Sequence, residues 1–316
     1  MAFRSGFVSI VGRPNVGKST LLNALVGEKV SIVTYKPQTT RNRIQGVVNQ
    51  ATRKGNPGGQ IILVDTPGIH QPKDSLSQKM MNEVRQALES RDLILLMVDA
   101  SRKLEEQDEF VLDLVKKAGG LVFLILNKVD RVAKEKLLPL IEEYSKLHTF
   151  QEIIPISASN KEGLEVLMDK VVHALPVGPR YFPKDQLTDQ PERFLVSELI
   201  REKVLMLTGQ EVPHATSIVV ESFEEGPQMV KITALIYCER EGQKAILIGN
   251  KGASLKRIGT AARLEIEKFL AKKVFLELLV KVSAGWRDSR QFVDDLDWRR
   301  QLEQLSSPGE NKRRRD

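Results

Sequence analysis

From residue 7 to residue 157 short apolar runs alternate with amphipathic stretches, and this alternation constrains the fold more than any other feature. The runs are "FVSIV" (7–11), "RIQGVVNQ" (43–50), "IILVD" (61–65), "LILLMVD" (93–99), "LVFLILN" (121–127) and "IIPIS" (153–157). Several are continuous rather than alternating, as expected of strands covered on both faces. Helical patterns fall between them at about 18–26, 75–90, 105–118, 132–147 and 161–175. The order predicts an α/β domain over residues 1–175: a mostly parallel sheet with helices on both sides.

"PVGPRYFPKDQLTDQP" (176–191) holds four prolines and no apolar periodicity, and reads as a semi-rigid linker. Past it the pattern changes. Residues 192–285 read as helix, two strands around a short turn, a helix, a glycine turn, a second helix and a last strand. That is a smaller α+β domain. Residues 286–316 read as a C-terminal helix and a basic tail ending "NKRRRD". A length of 316 residues suits two domains.

The single cysteine, Cys238, excludes an intramolecular disulfide and a multi-cysteine metal cluster. It suits a reducing cytosol. Met1 to Gly6 lead straight into a strand pattern without a hydrophobic leader, and the longest apolar runs are far too short to span a bilayer. A cytoplasmic protein is expected. The net charge of +7 is spread over both halves but concentrates locally: residues 240–273 hold nine Lys or Arg against three Glu. Such a strip is an electrostatic footprint for nucleic acid; alone it reads equally as a solvated helix face.

"GRPNVGKS" (12–19) matches G-x-x-x-x-G-K-[ST], follows a strand and precedes a helix. Gly12 and Gly17 let backbone N–H groups face phosphates. Lys18 brings a point charge to the β/γ-phosphates, and Ser19 brings a hydroxyl to Mg²⁺. Arg13, Pro14, Asn15, Val16 and Thr20 complete the cradle. "DTPG" (65–68) places Asp65 to hold the magnesium shell through water. Thr66 and Pro67 lead to Gly68, whose N–H can reach a γ-phosphate. In "NKVD" (127–130), Asp130 can accept both N–H donors of the guanine edge. Asn127 can meet its carbonyl side, and the Lys128 stem can pack over the base. "SAS" (157–159), with Ser157 and Ala158, can offer a backbone N–H to guanine O6. All four groups end strands, where open α/β sheets bind ligands. Adenine would leave the Asp130 carboxylate unpaired.

With these motifs in place, the chain resembles a translation-factor-type GTPase of the Era family over nearly its whole length. The resemblance implies hydrolysis of GTP to GDP and phosphate with Mg²⁺. It makes "QTTRN" (38–42) the first switch, in which Thr39 or Thr40 senses the γ-phosphate and joins Ser19 and Asp65 at the metal. Lys18, Asn15 and Gly68 complete the expected catalytic set. One departure from the Ras-type pattern stands out. The residue after "DTPG" is Ile69, where Ras-like GTPases place a glutamine that orients the attacking water. Isoleucine offers no hydrogen bond, and in this respect the chain matches the Era family. Asn15 either shapes the loop or, as in related GTPases, helps seat K⁺ near the β/γ-phosphates.

"IGNKG" (248–252) lies between two helical patterns. Leu255, Ile258, Ala262 and Ile266 give the second helix a buried face and leave Lys256, Arg257 and Arg263 nearer solvent. The element order resembles a type II KH domain, whose G-x-x-G loop clamps the backbone of about four single-stranded nucleotides. Gly249 and Gly252 would admit the sugar–phosphate chain at a turn completed by Asn250, with Lys251 adding charge. Ile246 and Ile248 suit either an apolar floor under the bases or the core, with the core expected for at least one. The Era resemblance implies binding to the 3′ end of small-subunit ribosomal RNA and a role in assembling the small ribosomal subunit. It also implies peripheral association with the inner membrane; a monomer is expected. Two alternatives remain: an RNA-binding scaffold whose GTP site is structural, and a GTPase serving another RNA process such as tRNA modification.

Overall fold

A computed structural model describes residues 2–53, 55–209 and 212–300. Contacts divide the chain into two units. One holds the residues through Gln71 together with Met80–Gln190; the other holds Pro72–Lys79 together with the chain from Pro191 onward.

In the first unit the apolar runs become β1 (Arg4–Val11), β2 (Ile44–Gln50), β3 (Gly59–Asp65), β4 (Leu93–Asp99), β5 (Val122–Asn127) and β6 (Glu152–Pro155). Their spatial order is β2-β3-β1-β4-β5-β6. Only β2 runs antiparallel to its neighbour. Every residue of β3, β4 and β5 is buried, which is why these runs carry apolar side chains on both faces. The helices are α1 (Lys18–Val26), α2 (Ser75–Glu89), α3 (Glu106–Ala118), α4 (Leu137–Leu147) and α5 (Leu164–Ala174). Helix α4 begins five residues later than its periodicity suggests, after two 3₁₀ turns at Val129–Arg131 and Lys134–Lys136. Pro139 explains the shift: it has no N–H to donate and is tolerated only in a helix's first turn.

The proline-rich segment expected to be a linker is instead strapped to this unit. The Val47 N–H donates to Leu187 O (2.8 Å), and Thr188 Oγ1 donates to Gln45 O (2.6 Å). The Gln60 amide serves both directions: Nε2 donates to Phe182 O, while Oε1 accepts from the Tyr181 and Phe182 N–H groups. The cause lies in β2. It is an edge strand, and its open polar groups need partners that a proline-rich strap can supply.

In the second unit α6 (Glu192–Leu207) precedes β7 (Ser217–Glu225) and β8 (Met229–Cys238). Then come α7 (Glu241–Ile248), α8 (Ala253–Leu270) and β9 (Lys273–Val282). The sheet order is β7-β8-β9, antiparallel then parallel. Val196, Ile200, Leu247, Ile258, Ala262 and Ile266 pack with the inward residues of the sheet into one core. Cys238 lies in that core as a free thiol, its pKa pushed up by burial. A short helix, α9 (Arg290–Asp295), follows; the expected basic tail lies outside the described residues. Pro72–Lys79 is integral to this unit. The Leu76 N–H donates to Arg287 O (3.0 Å), Ser75 Oγ donates to Asp288 O (2.9 Å), and the Lys79 ammonium meets Asp297. Among the described residues no helix is long and apolar enough to cross a membrane, and no His/Cys/Asp/Glu group is arranged to hold a metal on its own.

Candidate functional site

The carboxyl ends of β1, β3, β4 and β5 meet at one rim of the first sheet, around a cleft of about 420 Å³. Pro14, Asn15 and Gly17 line it from the loop between β1 and α1, and Lys18, Ser19 and Thr20 from the first turn of α1. Gly17 sits at φ 105°, and a Cβ there would stand 2.3 Å from Asn127 Nδ2, so the position demands glycine twice over. Lys18 is buried. Its ammonium donates to Gly12 O (3.1 Å) and Arg13 O (2.9 Å). Burial depresses its pKa to about 8, against the pull of the Asp65 carboxylate.

Asp65 ends β3 fully buried. Ser19 Oγ donates to Asp65 Oδ2 (2.6 Å), Ser31 Oγ donates to the same oxygen (3.1 Å), and Thr40 Oγ1 lies 2.9 Å from Ser19 Oγ. Burial pushes the Asp65 carboxyl up; Lys18 and the three hydroxyls pull it down. Its Oδ1 is buried with no hydrogen-bond partner. Of the two switch threonines, the structure brings only Thr40 to this cluster. Thr39 Oγ1 turns to Lys36 O (2.6 Å) and Thr34 Oγ1 (2.7 Å).

The base-side residues are knitted together more tightly than the sequence suggested. Asn127 does not line the cleft. Its Nδ2 donates to Val16 O (2.7 Å) and its Oδ1 accepts from the Ala158 N–H (3.0 Å), so one amide joins the phosphate loop to the "SAS" loop. Lys128 Nζ donates to Asn15 O (2.7 Å) and pairs with Asp99 (2.7 Å). Asp130 sits in the middle of the 3₁₀ turn Val129–Arg131, beside Arg131, which lines the cleft. Ser157 pairs through its backbone with Glu162. Thr66 and Pro67 are buried, with Thr66 Oγ1 donating to Ile10 O (2.8 Å). Gly68 fits against Pro14, where a Cβ would stand 2.8 Å from its Cα. The Arg13 guanidinium leaves the cleft and pairs with Glu105 (2.7 Å) and the buried Asp108 (2.8 Å), tying the loop to the start of α3.

Sequence reasoning missed Asp99. Burial opposes its charge, yet hydrogen bonds from Lys128 and Ser101 hold it below the usual carboxylate range. The available signal was its place: an acid at the carboxyl end of β4, like Asp65 at the end of β3. It also missed Tyr35, Arg102 and Arg131 as lining residues.

In the second unit "IGNKG" forms the turn between α7 and α8. Gly249 has φ 72°, and a Cβ there would stand 2.8 Å from the Ser254 nitrogen. Asn250 and Lys251 are exposed. A groove of about 310 Å³ runs beside the turn, lined by Gly252, Leu255, Lys256, Arg263, Leu276 and Leu278 among others. Arg257 lies off this groove, donating to Leu207 O (2.9 Å) at the end of α6. The core expectation for Ile246 or Ile248 is corrected: Ile246 is 54% exposed and Ile248 half-buried. Leu247 fills the core instead, because a helix directs neighbours in sequence to different faces. Leu276 and Leu278 on β9 supply the apolar wall, which an alternating strand 25 residues downstream had not signalled.

A family model described as a 50S ribosome-binding GTPase matches residues 7–128, and a KH domain model matches residues 211–287. GTPase Era of Geobacter metallireducens is 50% identical over 296 residues, covering 93% of this chain and 97% of that protein. GTPase Era of Syntrophus aciditrophicus is 48% identical over 286 residues, covering 90% and 92%. Among solved structures, Era in complex with MgGDPNP and nucleotides 1506–1542 of 16S ribosomal RNA matches with a TM-score of 0.88. It is 42% identical and covers 92% of this chain and 98% of that one. An Aquifex aeolicus Era variant bound to GDP·AlF4⁻ matches with a TM-score of 0.87, at the same identity and coverage. A P-loop unit built to hold and hydrolyse GTP, a KH unit after it, and relatives of this identity along nine-tenths of the chain lead to one assignment: the protein belongs to the Era family of GTPases.

Proposed function

We propose that the protein is a GTP-driven switch that binds the 3′ region of small-subunit ribosomal RNA through its KH unit and acts in assembly of the small ribosomal subunit. The observation that carries this reading is the glycine turn beside a groove walled by Leu255, Leu276 and Leu278 and rimmed by Lys256 and Arg263, in a chain similar to an Era solved with 16S ribosomal RNA. Backbone at 249–252 can approach phosphates, the cations supply attraction and the leucines receive bases. Crosslinking of the protein to total RNA, followed by mapping of the bound segment, tests it. Enrichment of the small-subunit 3′ end is expected.

At the nucleotide site we assign Gly12 to Thr20 and Gly68 to the phosphates, and Asp130 to the guanine edge. Asn127, Lys128 and Ala158 hold the base pocket in shape. The donor set fits Mg²⁺, a hard dication that takes oxygen ligands: two hydroxyls, Ser19 and Thr40, converge on a buried carboxylate with one unpartnered oxygen. When bound, the metal neutralises charge on the β- and γ-phosphates. Thr40 is therefore the switch threonine we assign to it. Asn15 adopts a left-handed backbone, and its Nδ2 donates to Tyr35 O (2.8 Å). That carbonyl and the Asn15 amide oxygen are the kind of ligands K⁺ takes. Faster hydrolysis in potassium than in sodium, with the difference lost in Asn15→Ala, is the expected result.

The scaffold alternative predicts equal RNA affinity with GDP and with a non-hydrolysable GTP analogue. One observation favours the switch: Pro72–Lys79, four residues past the "DTPG" box, belongs to the RNA-binding unit. Movement of the box on γ-phosphate binding would pull on that segment. We place this work in the cytoplasm. Any membrane attachment would have to be peripheral or lie outside the described helices, and vesicle flotation tests it. Sedimentation tests the expected monomer.

A further inference from the structure

Hydrolysis needs a group that orients water against the γ-phosphorus, and the usual position cannot supply it. Ile69 is fully buried among Val11, Val84, Leu96 and Val98, and its N–H donates to Gly12 O (3.2 Å). Its side chain faces the core. Two carboxamides, Asn15 and Gln38, stand among the residues lining the cleft. The Asn15 Nδ2 reaches Tyr35 O, three residues before the first switch.

Gln38 occupies a different place. Thr39 Oγ1 donates to Lys36 O, and the Lys36 N–H donates to Thr34 Oγ1 (3.1 Å); these bonds close a turn that presents Gln38. The residue is held at φ 59°, a left-handed backbone that a non-glycine residue keeps only where its surroundings enforce it. Its Nε2 lies 3.3 Å from Nε2 of His70, two residues past Gly68. The side chain thus spans from the first switch to the segment after "DTPG", in the cleft that Lys18, Thr40 and Gly68 also line. An amide nitrogen only donates, so the ring nitrogen of His70 accepts. Oε1 is the acceptor end of Gln38; it is buried in this structure, so it meets a water only when the first switch shifts onto a γ-phosphate.

We propose that Gln38 is a catalytic residue that orients the attacking water through Oε1, and that His70 is the positioning residue that holds its amide. In the step, the water oxygen bonds to the γ-phosphorus as the bond from phosphorus to the β–γ bridging oxygen breaks. GDP leaves with that electron pair, and the water's proton passes to the released phosphate. Gln38 is neither consumed nor ionised.

The test uses the full chain with saturating GTP in single turnover. Gln38→Gly removes the side chain while suiting the left-handed backbone, which separates chemistry from strain. Hydrolysis should fall on the order of 100-fold, the size of one lost transition-state hydrogen bond, while affinities for mant-GDP and a non-hydrolysable GTP analogue stay within about twofold. Gln38→Asn also suits this backbone but is one methylene short, and should remain slow. GDP should no longer be retained by aluminium fluoride in Gln38→Gly. His70→Ala should slow hydrolysis less, by about tenfold, and His70→Asn should recover part of it. Full activity in Gln38→Gly would overturn the proposal. So would a loss of analogue affinity equal to the loss of rate, which would make Gln38 a shaper of the switch and nothing more.

Discussion

The two glycine loops that we assign to phosphate are built in opposite ways. The loop at 12–19 is enclosed. Side chains from the ends of β5 and β3 reach into it: Asn127 donates to Val16 O, Lys128 donates to Asn15 O, and Asp65 accepts from Ser19 Oγ. The loop at 249–252 is bare. Its polar backbone contacts are local, Gly249 N–H to Ala245 O, Gly252 N–H to Gly249 O and Ala253 N–H to Asn250 O, and Asn250 and Lys251 stand in solvent. Catalysis needs donors fixed before the reaction, because reorganisation at the moment of charge transfer would cost rate. A clamp for a polymer needs backbone that a long chain can reach from outside, and no fixed transition state.

Removing Lys18 should separate the two loops most sharply. Lys18→Ala is expected to lower GTP turnover by about 10³-fold or more, since it deletes the charge at the β/γ-phosphates. RNA binding measured without nucleotide should be unchanged. Equal loss of both would mean the enclosed loop also supports the bare one.

Asp130→Asn should weaken GTP binding and shift preference toward xanthine nucleotides. Two charge-assisted hydrogen bonds at about 1.5–3 kcal/mol each are at stake, so a change of about 100-fold or more is expected in competition assays. Unaltered guanine preference would remove Asp130 from base recognition.

The converse experiment loads the bare loop. Asn250→Asp with Lys251→Asp puts two carboxylates where phosphates must approach, and RNA affinity should fall by about tenfold or more at low salt. RNA-free GTP hydrolysis should hold, and so should the fold, because neither side chain is buried. In the unmodified protein, log K should fall against log salt by about 0.7 for each phosphate neutralised on a single strand. RNA affinity that survives the double change would reduce "IGNKG" to a helix–helix turn.

The smallest effect is a titration. Lys18 has a pKa of about 8 in the nucleotide-free protein, set chiefly by burial. Nucleotide binds the charged ammonium, so GDP affinity should be flat below that value and decline as pH rises through it, by about tenfold at pH 9. Mant-GDP titrations from neutral to alkaline pH measure this; a flat profile would mean the ammonium keeps its proton throughout.

Most of this comparison was legible in the sequence, and the reasons are physical. Strands buried on both faces must be continuous apolar runs, so β3, β4 and β5 announced themselves. Phosphate and guanine contacts need particular residue types at strand ends, so their motifs survive as short strings. What the sequence hid was the traffic among the motifs. Asn127 reads as a base contact by its motif, and each end of its amide also bonds a distant loop, Nδ2 to Val16 O and Oδ1 to the Ala158 N–H. Neither bond has a local signature, because the partners are backbone groups far away in the chain. Ile246 and Ile248 failed for a related reason: in a helix as short as α7, periodicity cannot say which of three neighbouring apolar residues faces inward, and the core took Leu247. The strap at 176–190 was hidden because its prolines signal only the absence of a helix.

Pro72–Lys79, which the chain delivers early and the second unit uses, sets a schedule for synthesis. Asp74 pairs with Arg287, 213 positions later. At about 5–20 residues per second, the ribosome that makes this protein exposes Asp74 on the order of ten seconds or more before Arg287 exists. Through that interval the first unit can close its sheet, since all its strands lie before residue 156. The first turn of α2 must wait, attached to a helix whose other end is already packed. The second unit therefore cannot be completed as an independent late product: its last piece was made first, and a fragment cut at Pro191 would lack it.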